Sequence, residues 1–199
     1  DFIAHNSLTL IMQTAILENE SIRKMVLPIT VEQYHHWLEE AGSIGEKTEL
    51  LNGIIIEIMS KSPEHIYIVT KIFELLRTII HEELLIRKED ALTLEKSEPE
   101  PDIAIVEGNM EKYKISHPGT AILVIEVAVS SLDIDREKAS IYAQANIPEY
   151  WLFDIKLKRV EVYSQPFEGS YRKKEIYNIT DPIPLKIGKE KTINLKEIF

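Results

Sequence analysis

Three neighbouring segments decide how this chain folds: PDIAIVE at residues 101–107, AILVIEVAVSS at 121–131 and LDIDREKASIYAQANIPEYWLFD at 132–154. The second is almost continuously apolar and β-branched from Ala121 to Val129, the pattern of a central strand buried on both faces. Glu126 interrupts it. The first gives a short strand, Asp102 to Val106, and Pro101, which has no N–H for a ladder, marks its start. The third gives a helix from about Ile134 to Ala145, capped by Asp133 or Ser131. Asn146 follows it, a residue that tolerates the left-handed conformation at a helix end. Strands at Tyr150–Asp154 and Val160–Tyr163 then pair around a turn.

Upstream, Thr30 and Gln33 have capping-box spacing, and Val31, Tyr34, Trp37 and Leu38 share one helical face, with Gly42 just past the end. Asn52-Gly53 between two apolar runs predicts a hairpin with Glu49 on its first strand. Ser62-Pro63 starts a second helix that carries His65 in its first turn and runs to about Glu82. A further strand is expected around Ala91–Leu94, others at Tyr171–Tyr177 and Ile193–Leu195, and a loop at Gly108–Gly119. The fold class is therefore α/β: a mixed sheet flanked by helices, with an added N-terminal helix and hairpin. Residues 28–199 form one domain, and 1–27, with an apolar patch at Leu8–Leu17, form an extension.

Composition narrows the chemistry. The chain has 199 residues, is 44% hydrophobic and 28% charged, and contains no cysteine. A disulfide framework and thiolate metal ligands are thereby excluded. No apolar run is long enough for a bilayer span, and the first residues have no basic leader before their short apolar stretch, so a cytoplasmic protein with no membrane partner is expected. The net charge of −10 argues against coating nucleic acid by bulk electrostatics. It is compatible with an enzyme that holds a cation in a carboxylate cluster.

Glu126 is the most informative residue. An ionised carboxylate in an apolar strand costs several kcal/mol unless it is paired or bound to a metal. Asp102, at the start of another strand, is the natural second carboxylate, and two such groups repel unless a cation lies between them. Oxygen ligands suit Mg²⁺ or Mn²⁺ better than Zn²⁺. Asp135, Lys138 and Tyr142, at i, i+3 and i+7, share a helical face from which Lys138 reaches over the sheet. The plainer alternative makes Lys138 a surface partner of Asp135, and Tyr150 and Trp151 core residues rather than base-stacking platforms.

The segments P-D-I at 101–103, I-E-V at 125–127, D-R-E-K-A-x-I-Y at 135–142, I-P-E-Y-W-L-F-D at 147–154, E-L-L-N-G at 49–53 and S-P-E-H at 62–65 together resemble the Uma2 family, formerly a domain of unknown function, from about Thr30 to Phe199. The resemblance implies the PD-(D/E)xK restriction-endonuclease-like fold. It also implies Mg²⁺ or Mn²⁺ held by Asp102, Glu126 and the Val127 carbonyl, with Glu49 helping through water. Two residues after the glutamate, where the wider superfamily has lysine, this chain has Ala128; the family moves that lysine to the following helix, which makes Lys138 the candidate. Tyr142, Asp135 and His65 are supporting candidates. The function so implied is a Mg²⁺-dependent endonuclease acting on DNA, as a homodimer by fold analogy. Two alternatives stand beside it: a catalytically inactive nuclease-fold module that binds nucleic acid or protein, and a structural ion-pair cluster around Lys138 with no metal.

Overall fold

The structure is a computed structural model that describes residue 21 and residues 24–42, 48–187 and 191–199. Most of the segment at 1–27, with its apolar patch, lies outside the described residues. Helix α1, Val31–Ala41, begins with the expected capping box: Gln33 N–H donates to Thr30 Oγ1, and Thr30 N–H to Gln33 Oε1. Strands β1, Thr48–Leu51, and β2, Ile54–Glu57, form the hairpin. Asn52 and Gly53 take positive φ values of 48° and 77° at its turn, as a two-residue hairpin loop requires. Gly53 is also needed for space, since a Cβ there would lie 2.3 Å from Pro28 Cβ.

Helix α2, Pro63–Ile79, is capped by Ser62, whose side chain accepts from His65 N–H. It ends at Ile79 rather than near Glu82, because the chain turns there to enter an edge strand. That strand, β3, is Leu84–Lys88 and pairs with β4, Ile103–Glu107. The strand expected at Ala91–Leu94 is not formed. Leu92 and Leu94 are buried, so their apolar character serves the core, while their N–H groups bond to Pro99 and Ser97 carbonyls in a looped path.

The central sheet runs β3-β4-β5-β6-β7-β8, with β5 at Leu123–Ala128, β6 at Glu149–Asp154, β7 at Arg159–Phe167 and β8 at Ser170–Asn178. Only β5 and β6 are parallel among its neighbouring pairs. Helix α3, Leu132–Gln144, makes the crossover between them, and Asn146 closes it with φ 54°. A second hairpin, β9 (Pro182–Leu185) with β10 (Lys191–Asn194), stands apart from the sheet. This is the mixed α/β architecture expected, with α1 and the first hairpin as additions.

Alternation along the strands divides the core. Ile103, Ile105, Leu123, Ile125, Trp151 and Phe153 belong to a cluster with α2 and the β9–β10 hairpin. Ala104, Val124, Ala128, Tyr150 and Leu152 pack in a second cluster with Ala139, Ile141 and Tyr142 of α3. Glu126, which shares the phase of Val124 and Ala128, therefore faces α3. Tyr150 and Trp151 are fully buried and offer no stacking surface.

Candidate functional site

Ile103 pairs with Ile125 across β4 and β5, so one step further the register sets Asp102 opposite Glu126. Each then bonds to the backbone of the other strand. Asp102 N–H donates to Glu126 Oε2 at 3.2 Å, and Val127 N–H donates to Asp102 Oδ2 at 2.8 Å. The two carboxylates are side by side and both buried. In an extended strand the N–H and C=O of one residue point the same way, so the Val127 carbonyl also points to the Asp102 side. Its register partner there is Pro101, which has no N–H to give.

From α3, Lys138 lowers its ammonium onto this pair. Nζ lies 3.2 Å from Glu126 Oε1 and 3.0 Å from Glu49 Oε1. The alternative pairing with Asp135 is not what forms: the Asp135 carboxylate accepts instead from the Ser131 hydroxyl, which explains why Ser131 caps α3 without a side-chain bond to the helix backbone. Tyr142, one turn beyond Lys138, donates its hydroxyl to Glu126 Oε1 at 2.8 Å. Glu49 arrives from the hairpin, which docks through reciprocal Leu50–Glu98 backbone bonds; its Oε2 accepts from Glu100 N–H at 3.3 Å.

His65, at the start of α2, completes the Asp102 side. Its Nε2 is 3.1 Å from Asp102 Oδ2, and its buried Nδ1 has no hydrogen-bond partner among the described residues. A buried N–H without an acceptor is costly, so Nε2 carries the proton and donates to Asp102. The structure thus brings together all of Glu49, His65, Asp102, Glu126, Lys138 and Tyr142, with Asp135 and Val127 lining the same cleft.

Two residues of the cleft escaped the sequence reading. Lys61 Nζ lies 3.5 Å from Asp102 Oδ1 and 3.3 Å from Glu89. Glu100 is partly buried beside Glu49. Glu100 precedes Pro101 and Lys61 precedes the S-P-E-H segment, so adjacency to recognised motifs was the available signal.

The charges are unbalanced. Burial pushes the Glu126 carboxyl up, to about 8, against the pull of Lys138; the charges of Asp102, Asp135 and Glu49 push the same way. Burial also raises Asp135 and Glu100. Asp102 goes the other way: burial opposes ionisation, but the His65 hydrogen bond, Lys61 and the Val127 N–H outweigh it and hold the group below the usual range. Lys138 is held protonated, since Glu126, Glu49 and Asp135 outweigh the cost of burying it.

Among the described residues no three acidic or histidine side chains converge as a ready-made metal cage. The donor chemistry nonetheless fits Mg²⁺ or Mn²⁺. Such ions take one or two carboxylates together with water and substrate phosphates, and two adjacent carboxylates with a neighbouring carbonyl supply that much in a cleft with excess negative charge.

Comparison with known proteins places this geometry in a family. The model of the Uma2 family, described as "Putative restriction endonuclease", matches residues 31–191. A crystal structure described as "a putative nuclease belonging to DUF820" from Anabaena variabilis superposes with a TM-score of 0.69 at 18% identity, covering 86% of this chain and 98% of that one. At that identity the likeness shows a shared fold. No curated protein matches, and among the described residues no helix is long and apolar enough to cross a membrane. With the family model covering most of its length, the chain belongs to the Uma2 family.

Proposed function

We propose that this protein is a nuclease that uses Mg²⁺ or Mn²⁺ to hydrolyse phosphodiester bonds in DNA. The observation that carries the reading is the pair Asp102–Glu126 on neighbouring strands with the Lys138 ammonium against Glu126. It supplies what phosphoryl transfer to water needs: positioning and fixed positive charge where negative charge develops. Asp102 and Glu126 would hold the cation, with the Val127 carbonyl as a further ligand, and it would supply charge neutralisation at the phosphoryl group and a more acidic water. Lys138 orients the attacking water and stabilises the charge that builds on the phosphoryl group. Glu49 shares the Lys138 ammonium and so keeps it aimed into the cleft. Tyr142 holds Glu126 in its rotamer, and Asp135 borders the cleft at the start of α3. His65 fixes Asp102. In this reading residues 28–199 are one domain of the PD-(D/E)xK type, the protein is cytoplasmic, and a homodimer lets two sites cut both strands.

A second reading, an inactive module that binds nucleic acid or protein, is favoured by one observation. Ala128 is buried with no charge at the position of the superfamily lysine. Cleavage of single- and double-stranded DNA with Mg²⁺, Mn²⁺ or EDTA separates the two. Metal-dependent cleavage is expected from wild type and lost in Asp102→Ala and Lys138→Ala. Absence of cleavage by wild type on every substrate would move the weight to the binding module. Sedimentation equilibrium tests the dimer.

A further inference from the structure

The cleft is a hostile place for a polyanion. Glu49, Glu57, Glu100, Asp102, Glu126 and Asp135 all line it, and the lysines among its lining residues are Lys61 and Lys138. Lys138 is buried and spanned by two carboxylates. Lys61 also has two carboxylate partners, Asp102 and Glu89, but is less enclosed and held at longer range. Its side chain is 28% exposed and sits in the connection between β2 and α2. It approaches Asp102 Oδ1 as an ion pair at 3.5 Å, longer than a good charge-assisted hydrogen bond.

The two oxygens of Asp102 are held unequally. Oδ2 accepts from the Val127 N–H and from His65, both on regular elements. Oδ1 faces the loosely placed Lys61. A cation held by Asp102 through Oδ1 would compete with Lys61 for that oxygen. Lys61 has a second partner to fall back on, because Glu89 Oε1 lies 3.3 Å from the same ammonium. An ammonium displaced from Asp102 is partly exposed positive charge at the mouth of an otherwise acidic cleft.

We propose that Lys61 is the substrate-phosphate contact of this site, a placeholder on Asp102 Oδ1 that is released to the DNA backbone when a divalent cation binds. The proposal rests on the metal-dependent reading above and adds to it the residue that admits a polyanion. It makes two linked statements: Lys61 competes with the cation, and Lys61 contributes one phosphate contact.

The test uses the full chain. Mn²⁺ binding is followed by the electron paramagnetic resonance of the free ion for wild type, Lys61→Met, Lys61→Arg and Asp102→Asn. Binding of a fluorescein-labelled oligonucleotide is followed by anisotropy with Ca²⁺ at several KCl concentrations. Lys61→Met should bind Mn²⁺ about two- to five-fold more tightly, the range of a partly exposed ion pair, while its DNA affinity falls and its salt slope becomes shallower by about one unit. Lys61→Arg should keep the wild-type slope. Mn²⁺ affinity that is unchanged or weaker in Lys61→Met, with wild type binding normally and Asp102→Asn not, overturns the proposal and leaves the metal reading standing. An unchanged salt slope overturns the phosphate contact. Mn²⁺ binding by Lys61→Met but not by wild type supports the placeholder in its strongest form. Binding by neither makes Lys61 a fixed partner of Asp102, and the metal reading falls with the proposal. Lys61→Gln, which keeps a polar end at the cleft, repeats the measurement if the methionine variant folds poorly.

Discussion

Helix α3 carries two cations two residues apart, and they serve opposite kinds of carboxylate. Arg136 reaches Glu161 on β7 with two guanidinium N–H groups. Glu161 also takes Lys174 at 2.7 Å, the Tyr163 hydroxyl at 2.6 Å and Arg159 at 3.6 Å. Lys138 reaches Glu126 and must share itself with Glu49, while Asp102 and Asp135 crowd the same space. One buried glutamate has a surplus of cations and the other a deficit. Burial opposes ionisation at Glu161 too, yet hydrogen bonds from Arg136, Lys174 and Tyr163 draw it down to about 2, whereas Glu126 is driven up to about 8. A saturated carboxylate is a clamp that fastens α3 to the sheet. An unsaturated one, held open in a cleft, is what a site that recruits an external cation needs. The difference teaches that burial of a charge by itself does not mark function; the balance of its partners does.

The contrast breaks most visibly on removing the two cations. Lys138→Met leaves Glu126 and Glu49 buried without their ammonium, and in EDTA it should cost roughly 3 kcal/mol in urea unfolding. Added Mg²⁺ should raise the melting temperature of this variant more than that of wild type. No shift in either protein would mean that no cation enters, and equal shifts that Lys138 does not compete with it. Arg136→Met should cost about 1 kcal/mol, because its guanidinium is partly in solvent and Glu161 keeps three other partners. Its response to Mg²⁺ should equal that of wild type; a larger response would merge the two clusters into one.

Acidity sharpens the comparison, since the two glutamates link to stability with opposite signs. The folded-state pKa of Glu161 lies below its ordinary 4.5. Its stabilisation is complete above about pH 4.5 and is lost as pH falls toward 2, so Glu161→Gln should flatten the acid limb. The folded-state pKa of Glu126 lies above 4.5. Its contribution is complete below about pH 4.5 and is lost as pH rises through about 8. In EDTA, the melting temperature should therefore fall from pH 5 to 8, and Glu126→Gln should reduce that slope, leaving the smaller parts due to Asp135 and Glu100. A slope of the same size in Glu126→Gln would assign it to another group. Tyr142→Phe, which removes one hydroxyl from Glu126, should likewise cost about 1 kcal/mol; a cost near zero would mean that Glu126 finds another donor.

The chain itself determined the helices and hairpin whose signals are local. Thr30 with Gln33, Ser62 with Pro63, and Asn52-Gly53 each act through neighbours within a turn, so their outcome follows from spacing. The buried run at 121–129 and the phase that sets Glu126 with Ala128 toward α3 were legible for the same reason. So was the helical face shared by Asp135, Lys138 and Tyr142.

Tertiary structure decided what depends on partners far apart in sequence. Leu84–Lys88 became a strand because β4 offered an open edge, while Leu92 and Leu94, apolar enough for a strand, were drawn into the core without a ladder. Lys138 had a choice between Asp135, three residues away, and two distant glutamates. Packing of α3 on the sheet settled it, by burying the ammonium within ion-pair distance of Glu49 and Glu126. Lys61 carries no local signal of its place beside Asp102, and no residue near Glu126 in sequence tells that it is short of cations while Glu161 has too many. Local periodicity reports which way a side chain points. Which charges it meets there is a sum over the whole fold.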